Sequence, residues 1–155
     1  MKIWIDADSC PIKVREIVLK AAERTGVPLI MVANKKIPHK NSEIVKDIIV
    51  DDALDAADDF IFDNTEKNDI VITRDIPLAE KLVSKSINVI NDRGTQYTSE
   101  NVKERLSIRN IMLTMRESGL KVSEETSFSQ KDLQKFANLF DSLLTKMIKV
   151  CNNFK

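Results

Sequence analysis

Three apolar residues near the start of the chain run straight into two acids, Ile3-Trp4-Ile5-Asp6-Ala7-Asp8, and Pro11 follows. That pattern is a buried strand ending in carboxylates, with a proline suited to the first turn of a helix. The predicted helix covers residues 11–25, where Ile12, Ile17 or Val18, and Ala21 recur near helical spacing, and Gly26 ends it. Residues 27–33 are a continuous apolar run, as in a central parallel strand. Residues 34–41 are basic and read as a solvated loop, with His39, the only histidine, on the surface. Residues 44–50 predict a third strand. Residues 51–65 predict a helix with Leu54, Ala57 and Ile61 turned inward and Asp51, Asp55 and Asp58 on an adjoining face. Residues 69–73 and 87–90 predict two further strands around a helix at 78–84.

Beyond Thr98 the pattern turns helical. Residues 99–118 read as one helix or two, with Arg105, Arg109 and Arg116 within about 40° of one another. A linker at 119–128 leads to a capping-box-like start at Ser129 to Asp132. Leu133, Phe136, Ala137, Phe140, Leu144, Met147 and Cys151 then continue an amphipathic stripe. Its first reading is core packing, and its second is an oligomer contact through the C-terminal helix. Short apolar strands alternating with helices predict an α/β fold, a mainly parallel five-stranded sheet with helices on both faces. At 155 residues the chain suits one domain, residues 1–155, with an α/β core at 1–98 and a helical C-terminal part at 99–155.

Composition changes this picture little. Lys and Arg number 24 and Asp and Glu number 24, so net charge excludes a strongly basic or acidic partner-binding protein. The distribution says more. Residues 51–69 carry eight acids against Lys67 alone, and residues 93–121 carry six Lys or Arg against three Glu. The two cysteines give no disulfide or metal-finger spacing. With no apolar signal region or membrane-length run, the expected location is the cytoplasm.

The chemistry-bearing residues sit at strand ends. Asp6 and Asp8 follow the first strand, Asp75 the fourth and Asp92 the fifth. Parallel strands open their carboxyl ends on one side, so these acids should converge there, with Asp55 or Asp58 joining from the acidic helix. One such Asp is often only a helix cap, and the repetition is what argues for a site. Clustered carboxylates require cations, and hard oxygen ligands select Mg²⁺ or Mn²⁺, which orient phosphates and activate water. Arg93, beside Gly94, suits either a phosphate or a salt bridge to one of the acids. Arg105, Arg109 and Arg116 suit a nucleic-acid backbone or pairing with the acidic stretch. Cys10 is expected to be packed rather than reactive. Asp6-Ala7-Asp8 also looks like the start of haloacid-dehalogenase-type phosphatases, with Asp6 as nucleophile, Asp8 as acid/base and Thr73 as second motif. Cys10 stands where that pattern has Thr or Val, and no lysine matches its third motif.

The strings IWIDADSCP, LIMVAN, DAADDFIF, DIVITRDIPLA, NDRGTQYT, VKERLSIRNIMLTMRESG and SFSQKDLQKFA together resemble the YaiI/YqxD family of uncharacterised bacterial proteins, to about Phe140. The resemblance implies a fold related to PIN-like nuclease domains, a three-layer sandwich whose acids hold divalent metal for phosphodiester hydrolysis. On that reading Asp6, Asp8 and Asp75 are metal ligands. Asp92 or Asp58 positions a second ion or the attacking water, and either Asp55 or Asp58 is the helix-borne acid. Asp59 stands where Asn is expected, and the C-terminal helix extends past a minimal PIN domain. The implied function is a Mg²⁺- or Mn²⁺-dependent nuclease acting on nucleic acid, RNA before DNA, with Arg93, Arg105 and Arg109 binding substrate. The alternatives are the phosphatase and a non-catalytic nucleic-acid- or protein-binding module.

Overall fold

Period-two alternation on β1 (Ile3–Asp6) divides the molecule, because Ile3 and Ile5 enter one apolar cluster and Trp4 enters the other. The computed structural model describes residues 1–121 and 127–153. After β1 come α1 (Ile12–Thr25), β2 (Leu29–Ala33), β3 (Val45–Ile49), α2 (Ala56–Asn64), β4 (Ile70–Ile72), α3 (Ile76–Ser84), β5 (Asn88–Ile90), α4 (Ser99–Glu117) and α5 (Gln130–Asn153). The five strands form one sheet in the order β3-β2-β1-β4-β5, and every neighbouring pair is parallel. β1, β2 and β4 are buried on both faces apart from Asp6, which explains their unbroken apolar sequences.

Helices α1 and α5 cover one face of the sheet. Val14, Val18 and Ala22 meet Phe136, Phe140 and Leu144 over Ile3, Ile5 and Leu29. Ile61 of α2, Leu78 and Leu82 of α3, and Val102 of α4 cover the other face over Trp4, Val32 and Val71. The result is the expected three-layer α/β sandwich. The chain builds β1 to β3 toward one edge, then crosses back to place β4 on the other side of β1. That reversal puts a crevice between the carboxyl ends of β1 and β4, where ligands bind in open α/β sheets.

Several local expectations are corrected. The acidic helix starts at Ala56 rather than at residue 51, because Asp55 adopts φ 64°, outside the right-handed helical region. Leu54 is therefore not core but 91% exposed, and Asp51 shares no helix face with Asp58. On α1 the buried stripe is Val14, Val18 and Ala22, and Ile12 is 65% exposed. Neither Asp8 nor Ser9 caps α1, since Pro11 occupies the cap position without a side-chain bond. Residues 99–117 form one helix. The box at α5 is present, with the Ser129 amide donating to Asp132 Oδ2 (2.9 Å) and the Asp132 amide to Ser129 Oγ (3.2 Å). The apolar stripe of α5 packs inside the chain through Phe136, Phe140, Leu144 and Met147, in line with its first reading as core. Part of the expected 119–128 linker, residues 122–126, lies outside the described residues.

Candidate active site at the strand ends

Asp6 ends β1 and is half-buried, and its neighbour across the crevice is Thr73, just past β4. The buried Thr73 hydroxyl donates to Asp6 Oδ2 (3.0 Å) and accepts from the Asp75 amide (3.0 Å), tying the two strand ends together. Asp75 in turn caps α3, its Oδ1 accepting from the Leu78 amide at 2.9 Å. Asp8 sits in a short 3-10 turn, Ala7–Ser9, and its Oδ2 accepts from the Asn34 amide beyond β2 (2.9 Å). Asp58 comes from the first turn of α2 and is half-buried.

Electrostatics shows which of these acids crowd one another. Burial is the largest influence on Asp6 and raises its pKa; the Thr73 hydrogen bond opposes this, and the Asp75 and Asp8 charges add to it. Asp58 is pushed up to about 7, first by burial, then by the charges of Asp75 and Asp6 and a hydrogen bond with Asp75. Of the two helix-borne candidates, Asp58 feels the charges of Asp75 and Asp6, and Asp55 adds its own charge to Asp58. Asp55 is exposed at the turn before α2.

The remaining candidates separate clearly. Asp92 is 4% exposed and ion-paired with Arg74. Its charge is the second influence, after burial, that pushes the thiol of half-buried Cys10 up to about 12, which disfavours the reactive thiolate. Arg93 pairs with Asp132 (3.3 Å) and lies 6.0 Å from the Phe128 ring centre, so it fastens α5 to the loop after β5. Arg105 lies 5.8 Å from the Tyr97 ring centre, and Arg116 is exposed near the end of α4. Of the three helix arginines, Arg109 is at the crevice. It lines a cleft of about 370 Å³ with Asp6, Ser9, Arg74, Asp75 and Ile76. A neighbouring cleft of about 300 Å³ is walled by Asp8, Asn34 and residues 50–58, and Asp75 borders both.

Two roles in this arrangement escaped sequence reasoning, which notes Thr73 only as the second motif of the phosphatase alternative and does not single out Arg74. Thr73 bridges Asp6 and Asp75 only because β1 and β4 are neighbours, and nothing local announces that. Arg74 is drawn to Asp92 across the β4–β5 pair for the same reason. Another acid in the acidic stretch serves structure only. Asp69, at the amino ends of β1 and β4, accepts from the Lys2 amide (2.8 Å), Trp4 Nε1 (3.0 Å) and the Glu66 amide (2.9 Å).

Among the described residues no three His, Cys, Asp or Glu side chains stand ready-set as a metal-binding group. The observed bonds of Asp6, Asp8 and Asp75 each engage one carboxylate oxygen. The donor set is all oxygen and anionic, which fits Mg²⁺ or Mn²⁺ in chemistry and requires side-chain rotation to fit in geometry.

Fold and site define a parallel, doubly wound α/β domain with an acidic crevice at the topological switch point. The model of the uncharacterised YaiI/YqxD family matches residues 4–146, and the chain belongs to that family. A UPF0178 protein of Treponema denticola is 46% identical over 149 residues, 96% of this chain and 95% of the relative. UPF0178 proteins of Geobacter metallireducens and Vibrio atlanticus are also 46% identical, over 96% and 94% of this chain and 96% and 99% of theirs. No solved structure gives a significant match. No helix among the described residues is long and apolar enough to cross a membrane.

Proposed function

We propose that the crevice between β1 and β4 binds Mg²⁺ or Mn²⁺ and hydrolyses phosphodiester bonds of nucleic acid, RNA before DNA. The observation that carries this reading is the convergence of Asp6, Asp58 and Asp75, three acids from three elements, on two adjoining clefts that Asp75 borders, with the Asp58 carboxyl pushed up to about 7 by burial first and by the Asp75 and Asp6 charges next. A divalent cation there would supply the countercharge that these carboxylates need. The metal supplies Lewis acidity and an activated water when bound. Asp6, Asp8, Asp58 and Asp75 would hold it. Thr73 holds Asp6 and Asp75 in mutual register, and Arg109 on the facing wall supplies a cation for the phosphate.

Single-stranded RNA and DNA incubated with Mn²⁺, with Mg²⁺ or with chelator test the reading. Metal-dependent cleavage by the wild type, lost in both Asp6→Asn and Asp75→Asn, is the expected result. Cleavage that survives chelation would overturn it. The Thr73 hydroxyl on Asp6 also suits a phosphatase with Asp6 as nucleophile. Hydrolysis of p-nitrophenyl phosphate without cleavage of either polymer would favour that chemistry. Metal-independent nucleic-acid binding with no hydrolysis would favour a binding module.

A further inference from the structure

We infer that the exposed apolar stripe of α4 is the surface through which two copies of this chain pair, with their α4 helices side by side and parallel. This goes beyond the phosphodiester reading and does not rest on it. The first turns of α4 pack on the body through Val102, the only buried residue among those described in the helix. Residues 107–114 are then exposed on every side. Within that stretch Ile108 is 46% exposed, Ile111 59% and Met112 37%, and half-buried Met115 extends the row. The four follow an i, i+3, i+4, i+7 pattern within an arc of about 100°. Single exposed apolar residues are ordinary, but a row of four on one helix face marks an interaction surface. Helices of this length are marginal without tertiary packing, so an unpacked half gains most from a partner. The C-terminal helix offers no such row, because its apolar stripe is already buried.

Charge identifies the occupant. Glu104 continues the row toward its start and Glu100 edges it on that side, while Arg105, Arg109 and Arg116 edge it on the other, all exposed. Two parallel copies related by an axis along the helices set the acidic edge of one against the basic edge of the other. An antiparallel pair would set like against like. A nucleic-acid backbone laid along the row would meet Glu100 and Glu104. The face is therefore complementary to itself in one orientation.

Light scattering and sedimentation on the full chain test this, with circular dichroism confirming folding. The wild type should be a dimer at micromolar concentration. Ile111→Glu should raise the dimer dissociation constant about a hundredfold. Lys103→Glu, on an exposed face away from the row, should leave it unchanged. Glu104→Lys should weaken pairing about tenfold, and adding Arg105→Glu should restore it. Met115→Cys should form an intermolecular disulfide under mild oxidation, because a parallel pair brings equivalent positions together. A monomeric wild type, a dimer indifferent to Ile111→Glu, or a dimer whose Met115→Cys form does not cross-link would overturn the inference. So would a monomer whose RNA binding is what Ile111→Glu abolishes.

Discussion

Asp58 and His39 both hold protons more tightly than usual, for opposite reasons. The two ring nitrogens of His39 face only acceptors, the Lys40 carbonyl at 2.8 Å and the Asp47 carboxylate at 2.8 Å. The imidazolium satisfies both, and its pKa is raised, by the Lys40 carbonyl first and Asp47 next. A raised folded pKa means that the stabilisation is complete below the unfolded value and fades as pH rises through the folded one. His39→Gln should therefore lower the urea midpoint at about pH 5.5 and have little effect at about pH 8.5. Asp58 is raised to about 7 by burial and repulsion, so the folded state binds an extra proton between the ordinary carboxylate range and neutrality. Stability drawn from that proton is lost as pH climbs to 7. Asp58→Asn should then raise stability at pH 7.5 by about 1 kcal/mol, after discounting for solvent at a half-buried site, and do less at pH 5. Asp69 behaves differently, since three donors depend on it. Asp69→Ala should cost about 3 kcal/mol in denaturant unfolding.

The elements differ in how much of them a local pattern decides. β1, β2 and β4 are buried on both faces and read as continuous apolar runs. The serine–aspartate box of α5 is also local, and it formed where the spacing placed it. The start of α2 was hidden because it depends on the αL turn at Asp55, which the Asp-rich sequence does not distinguish from a helical first turn. Ile12 looked like core by spacing alone, yet the face of α1 that meets α5 lies two residues further along, at Val14. Docking of α5 rests on Gly94, at φ +85°. A Cβ there would come within 2.6 Å of the Lys135 carbonyl carbon. Gly94→Ala should cost about 2–4 kcal/mol, combining backbone strain with a clash that backbone cannot relieve. Gly26→Ala has a similar φ with nothing within 4 Å, and should cost only about 1 kcal/mol. Thermal melts of the two variants compare these costs directly.

For the whole molecule, the convergence of acids follows from parallel strands and was legible once five of them were expected. Which cation each acid pairs with was not. Asp92 ends β5 as Asp6 ends β1, but β5 is the sheet edge, and there Arg74 takes its carboxylate. Arg93 likewise pairs with Asp132, which the C-terminal helix brings beside it. Pairing across the sheet is a long-range fact that sequence spacing does not carry. The central claim is that Asp6, at the switch point, holds a divalent metal with its neighbours. Thermal unfolding of wild type and Asp6→Asn, each with and without Mn²⁺, tests it most directly. Metal at a hundredfold excess over its dissociation constant should stabilise the wild type by about 2.7 kcal/mol. Asp6→Asn should fold as well as the wild type without metal, because Asn still accepts from Thr73 and one crowded charge is gone, and it should gain nothing from Mn²⁺. An equal response to Mn²⁺ in both proteins, or none in either, would contradict the account.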